Sequence, residues 1–120
     1  MDNYAASLDP ERITMLRELD DGDGELMATL AREYERDSNR QLATMHQALT
    51  DADAHSLERA AHTLKGASAN LGATRLAELC ARLQELGHAE ELDGAATLVA
   101  AAVTELGRVR TELHALLVGA

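Results

Sequence analysis

The chain has 120 residues, a length that suggests one domain with room for a hydrophobic core. Its formal net charge of −10 argues against nucleic acid as a general partner, because phosphate backbones are bound by basic patches. Hydrophobic residues make up 46% of the chain, but Tyr4 and Tyr34 are its only aromatic residues. An aliphatic core of this kind favours closely packed helices. The acidic charge is explained most simply by solubility, and steering of a partner is the alternative.

The sequence also limits where the protein can work. No run approaches the ~18–20 apolar residues of a membrane span, and the N-terminal stretch MDNYAASLDPER lacks the basic and apolar pattern of a signal peptide. The single Cys80 has no partner for an internal disulfide, which is compatible with a reducing compartment. We therefore expect a cytoplasmic protein with no membrane partner.

The first predicted helix covers about residues 9–19. Its start is indicated by Asp9, Pro10 and Glu11, which supply a capping carboxylate, a proline in the first turn and an early acid. The acidic run from Asp20 to Glu25 follows and superficially suggests a calcium loop. Its spacing differs from that of a calcium loop and the distant glutamate is misplaced, so we interpret it as a turn that caps the next helix.

Four longer helices are predicted after this turn, over about residues 24–50, 53–71, 74–86 and 92–118. Gly87 is interpreted as the C-terminal glycine of the helix that ends at 86. The two longest helices have regular apolar positions: Leu26, Leu30, Tyr34, Leu42, Met45 and Leu49 in one, and Leu92, Ala95, Val99, Ala102, Leu106, Val109, Leu113 and Leu116 in the other. Because the connections are short, we predict an all-α fold, an antiparallel four-helix bundle with an additional short N-terminal helix, as a single domain over residues 1–120.

The helix over 53–71 contains the candidate functional residues. At ~100° per residue its apolar stripe faces away from His62 and Gly66, which should therefore face water; the stripe consists of Leu57, Ala60, Ala61, Leu64, Ser68 and Leu71. A glycine inside a helix costs roughly 0.5–1 kcal/mol relative to alanine, a cost that is easier to understand if a partner must approach the imidazole. Lys65 is the only lysine in the chain. An exposed imidazole with one ammonium nearby suggests a site for a phosphoryl group.

The run Ala61-His62-Thr63-Leu64-Lys65-Gly66-Ala67-Ser68, followed by Leu71-Gly72, resembles the signature of histidine-containing phosphotransfer (HPt) domains. Residues 75–88 are similar to the next helix of that family, and the resemblance extends from about residue 26 to 117. The resemblance implies a phosphorelay intermediate, in which His62 accepts a phosphoryl group from the phosphoaspartate of a receiver domain and passes it to another receiver aspartate.

The same resemblance implies roles for the neighbouring residues. Lys65 would stabilise charge, Gly66 would give steric access, and Gln84 would hydrogen-bond near the phosphohistidine, whose modified nitrogen would be Nε2. His88 stands where some relatives have arginine, so its charge contribution would be absent or pH-dependent. The implied partners are response-regulator receiver domains, a hybrid histidine kinase or both. Mg²⁺ would belong to the receiver, and this chain, expected to be a monomer, would bind no cofactor or metal.

Other interpretations remain open. The chain has no glycine-rich nucleotide loop, so we expect no ATP-dependent kinase activity by that route; whether the transfer itself makes the chain an enzyme is left open. A phosphodonor domain of a chemotaxis-type kinase is one alternative, although this chain lacks the catalytic and dimerisation domains of such kinases. A helical adaptor that binds receiver or kinase domains without being phosphorylated is the other.

The remaining candidate residues have simpler interpretations. Glu85 and His88 form one Glu-x-x-His pair, whereas a dimetal bundle needs two. Cys80 lies within a leucine pattern and is predicted to be a buried thiol. The other histidines, His46, His55 and His114, are predicted to lie at the surface or at its boundary.

Overall fold

The computed structural model describes residues 6–119, with side chains through Leu117. Within that range the chain forms five helices: α1 (Pro10–Leu19), α2 (Glu25–Thr50), α3 (Ala54–Leu71), α4 (Thr74–His88) and α5 (Ala95–Gly119). Helix α3 packs against α2 and α4, and α5 packs against the same two helices, so α2 to α5 close a four-membered ring. Their short connections make successive helices antiparallel, which confirms the predicted fold. None of the described helices is long and apolar enough to cross a membrane.

The predicted capping signals at the start of the chain are present as hydrogen bonds. The Asp9 side chain accepts the N–H of Glu11 at 3.0 Å, and α1 begins at the adjacent proline. The Asp20 carboxylate accepts the N–H groups of Gly22, Gly24 and Met27 at 3.0, 3.1 and 3.3 Å. These hydrogen bonds lower the pKa of Asp20 from its usual value, and the bond from Gly22 has the largest effect. The turn therefore caps the start of α2, as predicted.

The core is aliphatic, with a small polar element at its centre. The predicted stripe of α3 is buried at every position. On α2, Tyr34, Leu42 and Met45 are buried as predicted, Leu30 and Leu49 are half-buried and pack against the core, and Leu26 is half-buried. Because this helix packs against both α3 and α5, its buried side chains also include Met27, Ala31, Ser38 and Ala48. The Tyr34 hydroxyl lies 2.9 Å from Ser68 Oγ and joins α2 to α3 within the core.

Two predicted helix boundaries were wrong. Helix α4 continues through His88 rather than ending at 86, and Gly87 is buried inside it. Helix α5 begins at Ala95 rather than at 92. The chain reverses before α5 through Glu90 and Gly94, whose φ angles are +58° and +85°, and these conformations keep Leu92 in the connection. The starts of α1, α2 and α3 each differ from prediction by one residue, because the cap residue precedes the first helical one, and α4 begins at Thr74 as predicted.

Two polar features of α5 were not predicted. Glu105 is buried, with Oε1 3.5 Å from an Arg75 nitrogen on α4 and 3.3 Å from an Arg108 nitrogen. Glu112 accepts the backbone N–H groups of Ser7 and Leu8, which ties the segment before α1 to the bundle. The sequence periodicity treats both glutamates as surface residues, because it does not show which arginines and amides approach from other elements.

Candidate functional site

Helix α3 is capped at both ends, and these caps fix its length. The Asp53 carboxylate accepts the N–H of Ser56 at 3.1 Å and the hydroxyl of the same serine at 2.7 Å. The serine hydroxyl, followed by its N–H, lowers the pKa of Asp53. At the other end Gly72 adopts φ +91°, and Ala73 N–H donates to the carbonyl of Ser68 at 2.8 Å. This geometry is that of a left-handed glycine cap.

His62 lies in the middle of α3 with its side chain exposed. Within residues 6–119 no hydrogen bond or ion pair engages its imidazole. Lys65, three residues further on, is half-buried, and Gly66 is exposed. The prediction that His62 and Gly66 face water, opposite the buried stripe, is therefore confirmed. Both ring nitrogens of His62 are free to react or to accept a partner.

The two glycines of the motif have different surroundings. A Cβ at Gly66 would meet no atom within 4 Å, so the fold of this chain does not itself require glycine there. A Cβ at Gly72 would lie 2.8 Å from Cβ of Arg12 in α1. The carbonyl of Gly72 accepts the N–H of Asp9 at 2.8 Å, and Arg12 Nε donates to the Asn70 carbonyl at 2.7 Å. Gly72 thus both ends α3 and allows α1 to pack against its end.

The packing of α4 on α3 sets the level of Gln84 along the bundle. Gly87 packs directly on the first turn of α3, where its Cβ would be 2.8 Å from Glu58 N. Because α3 and α4 are antiparallel, Gln84, one turn earlier in α4, lies at about the level of Ala61 and His62. Gln84 is half-buried, and its Oε1 is buried with no hydrogen-bond partner among the described residues. No hydrogen bond joins it to His62 in this structure.

The other histidines lie at the surface, as predicted for three of them. His46 and His55 are exposed. His114 is exposed and its Nε2 lies 2.8 Å from a Glu35 carboxylate oxygen. His88 is 81% exposed and its Nδ1 lies 3.1 Å from a carboxylate oxygen of Glu58, one turn before His62. Cys80 is fully buried, and this burial raises the pKa of its thiol to about 12. The prediction of a buried thiol is confirmed.

Sequence reasoning did not single out Arg59, which precedes His62 by three residues. Its side chain is exposed and has no hydrogen-bond or ion-pair partner within the described part of the chain. It lines a cleft of about 270 Å³ between α2 and α3, together with Gln41, Thr44, Ser56, Ala60 and Thr63. The spacing of three residues was a usable signal, since residues three apart on a helix are neighbours on its surface.

Comparison with known proteins identifies the family. The model of the Hpt domain family matches residues 29–118, which include α3, α4 and most of α2 and α5. The chain belongs to the Hpt domain family. The predicted resemblance is thereby confirmed.

Two relatives of this Hpt domain show how far the similarity extends. The crystal structure of histidine-containing phosphotransfer protein B (HptB) from Pseudomonas aeruginosa PAO1 superimposes with a TM-score of 0.88 at 31% identity, covering 97% of this chain and 98% of that one. Multistep phosphorelay regulator 1 of Schizosaccharomyces pombe is 32% identical over 88 residues, or 72% of this chain. The present chain corresponds to 30% of the length of that yeast protein. The likeness to HptB thus extends over nearly the whole chain, whereas the yeast protein is matched over one part only.

Proposed function

We propose that this Hpt domain is a phosphorelay intermediate that carries the phosphoryl group on His62. One observation carries the assignment: His62 is exposed on α3 and has no partner among the described residues, inside the segment that matches the family model. The names of the two relatives, a histidine-containing phosphotransfer protein and a phosphorelay regulator, support the same function.

The chemistry requires little of this chain beyond a positioned nucleophile. A neutral imidazole nitrogen is a competent nucleophile toward an activated phosphoryl group near neutral pH. In the first transfer the N–P bond to His62 forms as the P–O bond to the aspartate carboxylate of the donor receiver breaks. In the second transfer the aspartate of another receiver attacks phosphorus, and the nitrogen of His62 leaves. We assign the reacting atom to Nε2, and we assign Mg²⁺ to the receiver rather than to this chain.

Three neighbours would assist. Lys65 would place its ammonium beside the transferred group, where charge is stabilised more strongly once two docked domains exclude water. Gly66 would let the receiver close on the imidazole, and the open space at this position supports that role. Gln84, whose buried amide oxygen has no partner within the described part of the chain, would donate a hydrogen bond from its amide nitrogen to the phosphoryl group.

The partners in this proposal are receiver domains of response regulators, of a hybrid histidine kinase or of both. The protein would act as a monomer in the cytoplasm. A receiver that presents one aspartate to His62 needs only one copy of this chain, which is consistent with a monomer.

The experiment that tests the proposal is phosphorylation of His62→Gln by a phosphorylated receiver domain. We expect the wild type to gain an acid-labile, hydroxylamine-sensitive phosphate and the variant to gain none, with unchanged helix content by circular dichroism. His46→Gln, His55→Gln, His88→Gln and His114→Gln are the matched controls and should be labelled normally. Labelling that persists in His62→Gln contradicts the site, and a wild-type protein that binds receivers without any labelling is the adaptor instead.

A further inference from the structure

Arg59 carries an exposed positive charge that the proposed function does not use, and it lies on the same helix as the proposed phosphoacceptor. Residues three apart on a helix have Cβ atoms about 5–6 Å from each other. Arg59 precedes His62 by that spacing, and Lys65 follows it by the same spacing. Both long side chains therefore have the imidazole within reach.

Arg59 and Lys65 lie on opposite flanks of His62. At 3.6 residues per turn, a step of three residues rotates a side chain by ~60° relative to its neighbour, in opposite senses for the preceding and the following residue. The cleft that Arg59 lines with Gln41 and Thr44 shows that its flank faces α2. Lys65 then lies on the flank toward α4. A group bonded to His62 would have one cation on each side.

No acid on α3 neutralises Arg59. The adjacent carboxylate, Glu58, lies against His88 of α4 at 3.1 Å. Asp37 on the neighbouring α2 lies 3.6 Å from Arg40. Arg59 is exposed and unpartnered among the described residues, so its guanidinium can rotate toward an incoming anion at no cost in broken contacts.

We infer that Arg59 is a second cation of the transfer site, which contacts the phosphoryl group on His62 from the α2 flank while Lys65 contacts it from the other. This inference rests on the proposed function. A guanidinium suits the task because its planar fork can donate two hydrogen bonds to adjacent phosphoryl oxygens. The transferred group is held between the two side chains as the bond to one acceptor breaks and the bond to the other forms.

The test is single-turnover phosphotransfer from a phosphorylated receiver domain to the full chain, measured over a range of receiver concentrations. Arg59→Ala should slow the maximal rate about tenfold, which corresponds to ~1.4 kcal/mol of barrier, and should leave the melting temperature unchanged. Arg59→Lys should recover only part of the rate, because the charge is kept but the paired hydrogen bonds of the guanidinium are lost. Arg82→Ala is the control for loss of one positive charge: Arg82 is an exposed arginine of α4 that lines a cleft with Leu98 of α5, and its removal should change the rate less than twofold.

The outcomes separate the inference from the function on which it rests. A wild-type maximal rate in Arg59→Ala overturns the inference, and so does a change confined to the receiver concentration at half-saturation, which would make Arg59 a docking contact only. An equal loss in Arg82→Ala overturns it as well, since net charge alone would then explain the effect. If His62→Gln is still labelled, both the proposed function and the Arg59 contact are overturned. If His62→Gln is not labelled but Arg59→Ala transfers at the wild-type rate, only the role of Arg59 is overturned.

Discussion

Gly87 of α4 lies against the backbone of Glu58 in α3 more closely than any residue with a side chain could. A Cβ on Gly87 would be 2.8 Å from Glu58 N and 2.9 Å from its Cα, and 2.8 Å from the carbonyl oxygen of Ala54. The close approach leaves the next residue, His88, beside the Glu58 carboxylate at 3.1 Å. It also sets the level of α4 against α3, and with it the position of Gln84 relative to His62.

Replacing Gly87 by alanine should therefore destabilise the protein. The added methyl would press on backbone atoms that cannot move independently, and overpacking of this kind typically costs about 1–3 kcal/mol. That cost outweighs the gain in helix propensity, which is at most ~1 kcal/mol. Urea denaturation of Gly87→Ala and wild type measures the difference. Gly66→Ala is the matched control: its methyl enters open space, so the free energy of unfolding should stay equal or rise. An equal response of the two variants contradicts this account of Gly87.

Gly66→Leu should separate stability from transfer. A leucine at this position meets no atom of its own chain near Cβ and gains up to ~1 kcal/mol of helix propensity. The branched side chain would stand one turn (~5.4 Å) from His62, where a docking receiver must close. We expect an unchanged or higher melting temperature and a transfer rate at least tenfold lower, with labelling by phosphoramidate, a small donor, retained. A wild-type rate of transfer from the receiver means that the glycine has another purpose.

Lys65→Ala should slow transfer without affecting the fold. Ion pairs at the surface contribute only ~0–1 kcal/mol, and Lys65 has no ion-pair or hydrogen-bond partner within residues 6–119. In the docked complex its ammonium should contribute about 1.4–2.7 kcal/mol to lowering the barrier, so the variant should transfer roughly ten- to a hundredfold more slowly. Lys65→Arg should recover part of the rate, since the charge is kept in a broader fork. Stopped-flow transfer assays measure both variants. If Lys65→Ala transfers at the wild-type rate and its phosphohistidine is equally long-lived, Lys65 is a solvated surface charge with no role in transfer.

Cys80 should be unreactive in the folded protein. Its burial raises the pKa of the thiol from 9.0 to about 12, and the thiolate is the reactive form. Iodoacetamide at about pH 8 should therefore alkylate Cys80 only after unfolding in urea. Equal alkylation rates of the folded and unfolded protein would show that the thiol is accessible.

The raised pKa of the Cys80 thiol also predicts a change in the stability of the protein at alkaline pH. Between pH 9.0 and about 12 the folded state keeps a proton that the unfolded thiol has lost. The contribution of Cys80 to stability is therefore complete below pH 9.0 and falls as the pH rises toward about 12. Urea titrations at several alkaline pH values should show a steeper loss of stability in wild type than in Cys80→Ala. If wild type and Cys80→Ala lose stability in parallel as the pH rises, the raised pKa of Cys80 is contradicted.

The local sequence determined the parts of this protein that depend on interactions within one or two turns. The caps at Asp9 and Asp53 were predictable because a carboxylate before a helix reaches amides two or three residues away. The exposure of His62 was predictable because helical periodicity fixes which side chains lie opposite a buried stripe.

Only the tertiary structure decided the features that depend on distance across helices. Gly87 has the sequence pattern of a helix end, but it is the point where α4 meets α3. Glu105 is buried because Arg75 approaches it from α4, and Arg59 lies beside a cleft because Gln41 and Thr44 of α2 form its other wall. None of these partners is a sequence neighbour. A glycine or a charged residue has the same helix propensity wherever its helix packs, and its role is set by the helix that lies against it.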